Sequence, residues 1–391
     1  MNATASANRT LDVLLESLCG ELQLTRTQDA RSRSHYQAVA DWLAADGSPL
    51  RPFSPHIYPQ GSQRLGTTTR PVRQSEFDLD AVCKLDIGPS RSPGGLYDLI
   101  WDRLAANETY RKMMRRKPRC IRLDYAGDFH LDIVPAVTDT EHGGNFILVP
   151  DLEADLSPRT PLRDGEGSWK STNPIGYAEW FEDQCVEPWF SEGIQASAQV
   201  DPVPEPEAVH AKPALKRSVQ LFKRWRDVEY ESRMRLAPPS IILTTMSGNY
   251  YAGQQLCSDA LCSILDATVA EVFSGTPLRP ANPAHPDENI CEKWDEVEGA
   301  YADFCEAVVE FRDRFERLQS TKGIDQLERE LSELFGESPV RLAIKRFIDE
   351  QVTVPRNAGR LKVAPDTGRL TKAAATVAPV IAIPSNTFHG D

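Results

Sequence analysis

Two aspartates stand two residues apart inside an otherwise apolar run, EFDLDAVCKL, residues 76 to 85. On an extended strand, side chains two apart point to the same side. Asp78 and Asp80 therefore share one face, while Phe77, Leu79 and Ala81 share the other and face a core. Two neighbouring carboxylates repel and raise each other's pKa unless a cation lies between them, so a divalent metal is their natural partner. Mg²⁺ is the default ion, with Mn²⁺ as the alternative, because hard oxygen ligands on a site left partly open for phosphate oxygens suit it.

A third acid is expected from a neighbouring strand. Asp132 sits in FHLDIVPAV, between Leu131 and Ile133, where a charge is costly unless compensated. Three acids from two adjacent strands can hold two metal ions about 4 Å apart, which lowers the pKa of an attacking hydroxyl and neutralises a leaving pyrophosphate. That is the machinery of nucleotidyl transfer. Upstream, Gly61-Ser62 offers a backbone that can approach a triphosphate closely and one hydroxyl donor. Gln60 and Arg64 flank this turn and are candidate phosphate or ribose contacts. Gly61 and Gly66 have the spacing of a P-loop, but Thr67 stands where the phosphate-binding lysine belongs, which disfavours a Walker NTPase. His130, two residues before Asp132, reads as a structural histidine that points the same way.

The periodicity predicts an α+β chain. Leu11, Leu14, Leu15, Leu18 and Leu22, then Tyr36, Val39 and Leu43, recur at helical intervals and give two helices or one long bent one. Short alternating segments follow, then a helix near 95–107 and two strands near 120–125 and 129–137, joined by a hairpin turn at Ala126-Gly127-Asp128. Residues 138 to 175 read as loop-rich. The Pro-rich, acidic DPVPEPEAVHAKP, residues 201 to 213, marks a linker, after which the pattern is mainly helical. The expected division is a lobe at 1–205 holding the acids, a helical lobe at 206–362 completing the cleft, and a flexible tail at 363–391.

With 40% hydrophobic and 26% charged residues, the chain has a globular composition, and no apolar run approaches the roughly 20 residues of a membrane span. The N-terminal MNATASANRTLDVLLESLCGELQ lacks the basic patch and cleavage site of a secretory signal, so a cytoplasmic location is expected. The eight scattered cysteines read as free thiols. A formal net charge of −13 argues against holding a long nucleic acid by charge. The one local basic run, RKMMRRKPR at 111 to 119, reads more readily as a solvated face or turn than as a ligand contact. NPAHPDENICEKW, residues 282 to 294, is a Pro-punctuated loop entering a helix with no role apparent from its residues.

GSQRLGT, EFDLD and HLDIV together resemble the signature of the DNA polymerase β nucleotidyltransferase superfamily. QGSQRLGTTTRP, FDLDAVCKL, NPIGYAEWF and FKRWRD resemble one branch, the bacterial cGAS/DncV-like nucleotidyltransferases (CD-NTases) of CBASS antiphage signalling, over about Ser34 to Trp294. The similarity looks closest to clade D, whose members join ATP and GTP into cyclic trinucleotides. The resemblance implies a polymerase β-like lobe with a small mixed sheet and a long N-terminal helix, and an α-helical OAS/cGAS-like C-terminal lobe. It implies metal coordination by Asp78, Asp80 and Asp132, and triphosphate contact by Gly61 and Ser62, by Lys223 of FKRW and by Ser240 of PPSIIL. Lys216 and Lys223 lie two helical turns apart on one face, so either can reach the cleft. Asn173, Tyr177 and Trp180 of NPIGYAEWF are candidates for the acceptor side, although aromatics at this spacing more often belong to a core.

A cyclic dinucleotide product is the alternative, and a template-independent RNA or tRNA nucleotidyltransferase is a second. A catalytically silent nucleotide-binding or scaffold protein is a third reading, which the presence of all three acids disfavours. In this family some operons encode a regulator or ubiquitin-like machinery that acts on the synthase C-terminus. SNTFHGD resembles such an end, though Asp391 follows the glycine.

Overall fold

The run around Asp78 and Asp80 forms strand β2 (Phe77–Leu85), whose odd positions, Phe77 to Leu85, are buried. It pairs antiparallel with β1 (His56–Gln60) and parallel with β5 (Phe129–Thr138). β5 also pairs with β4 (Ile121–Tyr125), and β4 with β3 (Met114–Arg116). β6 (Ile147–Asp151) pairs with the end of β5 and with β7 (Ser168–Thr172), completing a mixed seven-stranded sheet. The expectation that 138–175 is loop-rich is corrected here. Gly143 and Gly144, both at positive φ, turn the chain back into β6, and Pro150 is tolerated within that short strand.

The computed structural model describes residues 2–72, 76–87, 91–125, 127, 129–152, 167–185, 199–321, 323–360, 362–363, 370–371 and 381–382. These fall into two compact units, 22–316 and the two ends, 1–21 with 317–391.

In the larger unit, one face of the sheet is covered by helices α2 (Arg26–Ala44) and α4 (Pro93–Ala105). Phe77, Leu79, Leu131 and Ile133 join Tyr36, Val39 and Leu43 of α2 and Leu96, Tyr97 and Ile100 of α4 in one core cluster. Each such side chain contributes roughly 1.5–3 kcal/mol by leaving water. α2 begins at a capping box, Thr25 with Gln28, which separates it from α1 (Asn2–Leu22) and makes two helices of the predicted region. On the opposite face, Val82 continues the row of Asp78 and Asp80 into a small second cluster with Tyr58, Ala136, Ile147 and Val149. The other helices of this half are the short α3 (Gly61–Arg64) and α5 (Glu108–Met113), then α6 (Pro174–Cys185), α7 (Ala214–Glu229), α8 (Ser240–Tyr250), α9 (Cys257–Val272), α10 (Glu292–Glu296) and α11 (Ala300–Ser320). α7 is buried from Ala214 through Trp225, with Trp225 stacked on Phe311 at 4.6 Å.

The smaller unit contains α12 (Ile324–Phe335) and α13 (Glu337–Ile348), each with an apolar stripe: Leu327, Leu331 and Leu334 on the first, Val340, Ala343 and Ile344 on the second. Leu11, Leu14, Leu15 and Leu18 of α1 are equally buried.

All eight cysteines are free. Among the described residues, no helix is long and apolar enough to cross a membrane. The basic run 111–119 is largely committed to ion pairs within the chain. Arg116 bonds to Asp98 at 2.7 Å and lies 4.3 Å over the Trp101 ring, and Arg119 bonds to Asp151 and Glu292. The tail sequence SNTFHGD and the hairpin residues Ala126 and Asp128 lie outside the described residues.

Candidate functional site

Strand register assembles the acids. The parallel pairing of β2 and β5 sets Asp80 opposite Asp132 and Asp78 opposite His130. The antiparallel neighbours extend the first row, placing Gln60 beside Asp80 and Arg122 beside Asp132. Paired residues on adjacent strands point to one face, so Gln60, Asp80, Asp132 and Arg122 form a single polar row across four strands.

Arg122 is the residue that sequence reasoning missed. Its Nε and Nη2 donate to the two oxygens of Asp132 at 2.7 and 2.6 Å, and Nη2 also donates to Asp78 at 3.0 Å. This two-pronged geometry is the strong form of a charge-assisted contact, and it raises the guanidinium pKa. His130 lies in the next row, with Nε2 2.5 Å from Glu76 and Nδ1 3.2 Å from Asp78, in keeping with a structural histidine.

Asp80 has no cationic partner of this kind among the described residues. Burial, and then the negative charges of Asp132 and Asp78, push its carboxyl up to about 7. The charges of Lys223 and Arg122 offset this only in part, and a set of acids left short of positive charge fits a bound divalent cation. Asp132 is 7% exposed. For it to ligate a cation, at least one of its oxygens must leave Arg122.

Gly61 opens α3 at φ +61°, and a Cβ there would lie 2.5 Å from Asp80 Oδ2. The glycine is thus required by the left-handed backbone and by the acid beside it. The segment that follows is strapped through its carbonyls to α7 and to Lys212 just before it. Lys212 donates to Gly66 O at 2.7 Å, Lys223 to Thr67 O at 3.1 Å, Gln220 to Thr68 O at 2.8 Å and Arg224 to Arg70 O at 3.3 Å. A lysine therefore does reach the glycine-rich turn, but it comes from another helix. Burial, and then the charge of Arg226, lower the Lys223 ammonium to about 8. Lys216, its partner on the same helical face, is held by Glu182 at 2.8 Å and Glu207 at 2.9 Å and does not line the cleft.

These elements enclose a cleft of about 830 Å³ lined by Gln60, Gly61, Ser62, Arg64, Asp78, Asp80, Lys223 and Ser240. Of the sequence-predicted residues, Asp132 is not on its wall; it lies next to Asp80 in the sheet, under Arg122. Ser62 Oγ is 3.2 Å from Thr68 Oγ1. Ser240 accepts from Arg226 at 2.8 Å, which adds Arg226 to the lining residues that sequence reasoning had not singled out. Asn173 and Tyr177 also line the cleft, with Tyr177 bonded to Thr245 at 2.8 Å. Trp180 does not; it packs against Gly248, where a Cβ would come within 2.4 Å of its ring.

Residues 10–184 match the Second Messenger Oligonucleotide or Dinucleotide Synthetase domain. Over the full length of both chains, the sequence is 30% identical to a c-di-GMP synthase of Roseivirga ehrenbergii. It is 27% identical to the cyclic dinucleotide synthase CdnG of Bradyrhizobium diazoefficiens, over 86% of this chain and 83% of that one. The structure of that CD-NTase in complex with GTP superposes with a TM-score of 0.68 at 23% identity, covering 86% of this chain and 99% of the other. The cyclic AMP-GMP synthase DncV of Vibrio cholerae, bound to a linear intermediate, superposes at 0.55 with 13% identity over 83% and 94% of the two chains. Full-length similarity and a shared polymerase β-like fold agree with the acid-bearing sheet, and the chain belongs to the cGAS/DncV-like nucleotidyltransferases.

Proposed function

We propose that the chain is a cyclic dinucleotide synthase with GTP among its substrates, acting in antiphage signalling from the cytoplasm. The observation that carries this reading is the register of β2 on β5, which sets Asp80 and Asp132 abreast beside the Gly61 turn. The trinucleotide ring made from ATP and GTP, expected from the clade resemblance, has no support among the curated relatives above, which are named for dinucleotide products. The dinucleotide alternative takes its place. ATP remains a candidate second substrate.

In the proposed reaction a ribose hydroxyl of one nucleotide attacks the α-phosphate of another in line, releasing pyrophosphate, and a second such step closes the ring. When bound, Mg²⁺ (or Mn²⁺) ions held by Asp78, Asp80 and Asp132 supply charge neutralisation and a lowered hydroxyl pKa. Lys223, fixed on the Thr67 carbonyl, lies beside the turn that would carry the donor triphosphate. Gly61, Ser62 and Ser240 offer it hydrogen bonds, and Gln60 and Arg64 flank it. Asp132 is the proton acceptor for the attacking hydroxyl once it is freed from Arg122. Most of the rate would come from positioning and fixed charge.

Incubation of the full chain with labelled NTPs, Mg²⁺ and no primer tests this. A phosphatase-resistant product with the mass of a cyclic dinucleotide is expected. Extension of an added RNA primer, with no cyclic product, would replace this reading with the tailing-enzyme alternative. Any regulation through the C-terminal tail by operon-encoded machinery is a separate proposal; an unmodified C-terminus by mass spectrometry after co-expression with the neighbouring genes would count against it.

A further inference from the structure

The segment NPAHPDENICEKW takes no part in the proposed chemistry, yet it is firmly built. Asn282 Oδ1 accepts from Ala284 N at 2.9 Å, the His285 carbonyl accepts from Glu288 N at 2.9 Å, and Glu288 accepts from Thr172 and Asn282 at 2.9 and 2.7 Å. It holds His285 at 4% exposure, edge-on to the stacked rings of Phe146 and His142 at 5.0 and 5.1 Å. Among the described residues, the His285 imidazole has no hydrogen-bond partner. The imidazole faces a polar cavity of about 520 Å³ whose lining includes His142, Asp287 and Glu288, and the two cations on its wall, Arg119 and Lys170, are paired with Asp151 and Glu292.

His142, on the turn between β5 and β6, is oriented for a ligand. Its Nδ1 lies 2.8 Å from Asp139 Oδ2. Asp139 is itself 2% exposed and also accepts from Ser171 at 2.6 Å and from the backbone of Glu141 at 2.9 Å. A carboxylate on Nδ1 leaves the Nε2 lone pair directed outward, the arrangement found behind metal-bound histidines. Asp287 is exposed and has no partner among the described residues. His142, His285 and Asp287 each offer a ligand atom, all within 4.8 Å of one another. Tetrahedral bonds of about 2.0–2.1 Å put ligand atoms about 3.3 Å apart. With His142 held by Asp139, the exposed Asp287 side chain is the one free to move inward to close that difference.

We propose that His142, His285 and Asp287 form a zinc site, separate from the catalytic acids, that fastens the β5–β6 turn to the 282–292 loop. Two imidazoles and a carboxylate are a zinc ligand set, with the fourth position left to solvent. Its place gives it a structural task. Asn282 and Glu288 of the fastened loop line the nucleotide cleft, so the ion would set the position of one cleft wall without touching the reaction. The site does not depend on which nucleotides are joined.

The test uses the full chain loaded with Zn²⁺ or Co²⁺, with Mg²⁺ in excess to occupy the catalytic acids. Equimolar zinc by elemental analysis and the visible absorption of tetrahedral Co²⁺ are expected in the wild type and in Asp80→Asn. Both signals should fall several-fold in His142→Ala and in Asp287→Ala, whose side chains are exposed and whose folding is checked by circular dichroism. Absence of both signals in the wild type, or their persistence at full strength in the two exposed-site variants, would overturn the proposal, as would their loss in Asp80→Asn alone.

Discussion

Lys223 is where stability and the proposed function pull against each other. Its ammonium is buried, and its pKa is lowered to about 8 by that burial and by Arg226. Holding it charged at pH 7 costs on the order of 3 kcal/mol relative to the unfolded chain. Between pH 8 and the ordinary lysine range, the unfolded state binds more protons, so this cost fades and nucleotide-free stability rises with pH. The charge offered to a triphosphate fades over the same window. The KM for NTP should therefore climb several-fold from pH 7.5 to 9 in the wild type and stay flatter in Lys223→Arg, which keeps its charge. Lys223→Met should raise the nucleotide-free unfolding free energy by about 1–2 kcal/mol, because the orphaned Thr67 carbonyl takes back roughly 1 kcal/mol, while cyclisation is lost. Denaturant titration and steady-state kinetics check the two halves. Asp80→Asn and Asp132→Asn should each cost at least about a hundredfold in turnover with unchanged circular dichroism; near-wild-type rates in either would remove the basis of the proposed chemistry.

The three acids were readable from residue type and spacing, because an acid inside a β run demands an explanation. Arg122 was not singled out, although the signal was present. Tyr125 pairs with Phe129 across the predicted hairpin, and counting back along IRLDY and FHLDIV puts Arg122 against Asp132. Only the register, not the composition, tells an arginine that bridges acids from one on a solvated edge. The same holds for the two lysines of α7: helical periodicity puts Lys216 and Lys223 on one face, but the carboxylates of Glu182 and Glu207 that occupy the first come from elsewhere in the chain.

At the scale of elements, β2 and β5 announce themselves by alternation, whereas β6 and β7 are short, interrupted by proline or rich in polar residues, and were absorbed into loop. The turn between β1 and β2 read as a phosphate loop with its lysine missing. In the structure a lysine reaches this loop laterally: Lys223, Gln220 and Arg224 of α7, with Lys212 just before the helix, hold carbonyls between Gly66 and Arg70. Gly61, directly after β1, packs this loop against Asp80 of β2. Gly61→Ala should lose at least tenfold in activity and about 1 kcal/mol in stability, since it combines a strained φ with a 2.5 Å approach to Asp80. Kinetics beside thermal unfolding separate these effects; an alanine enzyme of full activity would mean that the acid does not work from this position.

Taken whole, the molecule is acidic, and its cleft lies within one compact unit, 22–316. A net charge of −13 offers little counterion release on binding a polynucleotide. Excess single-stranded RNA should therefore leave the cyclisation rate unchanged within about twofold at 50 mM salt, measured by product formation from NTPs; strong inhibition that salt relieves would indicate a basic track for a polymer. The association of the first 21 residues with those after 316 joins opposite ends of the chain, and nothing in local periodicity announces such a pairing.

The parallel register of β2 on β5 carries a final consequence. The pairing that interdigitates Leu79 and Leu131 in the core is the pairing that brings Asp80 level with Asp132, and a slip by one residue would turn one strand's acids inward. A copy with a slipped register would therefore lose its paired acids together with its core, so the hydrophobic pairing of the sheet guards the proposed chemistry.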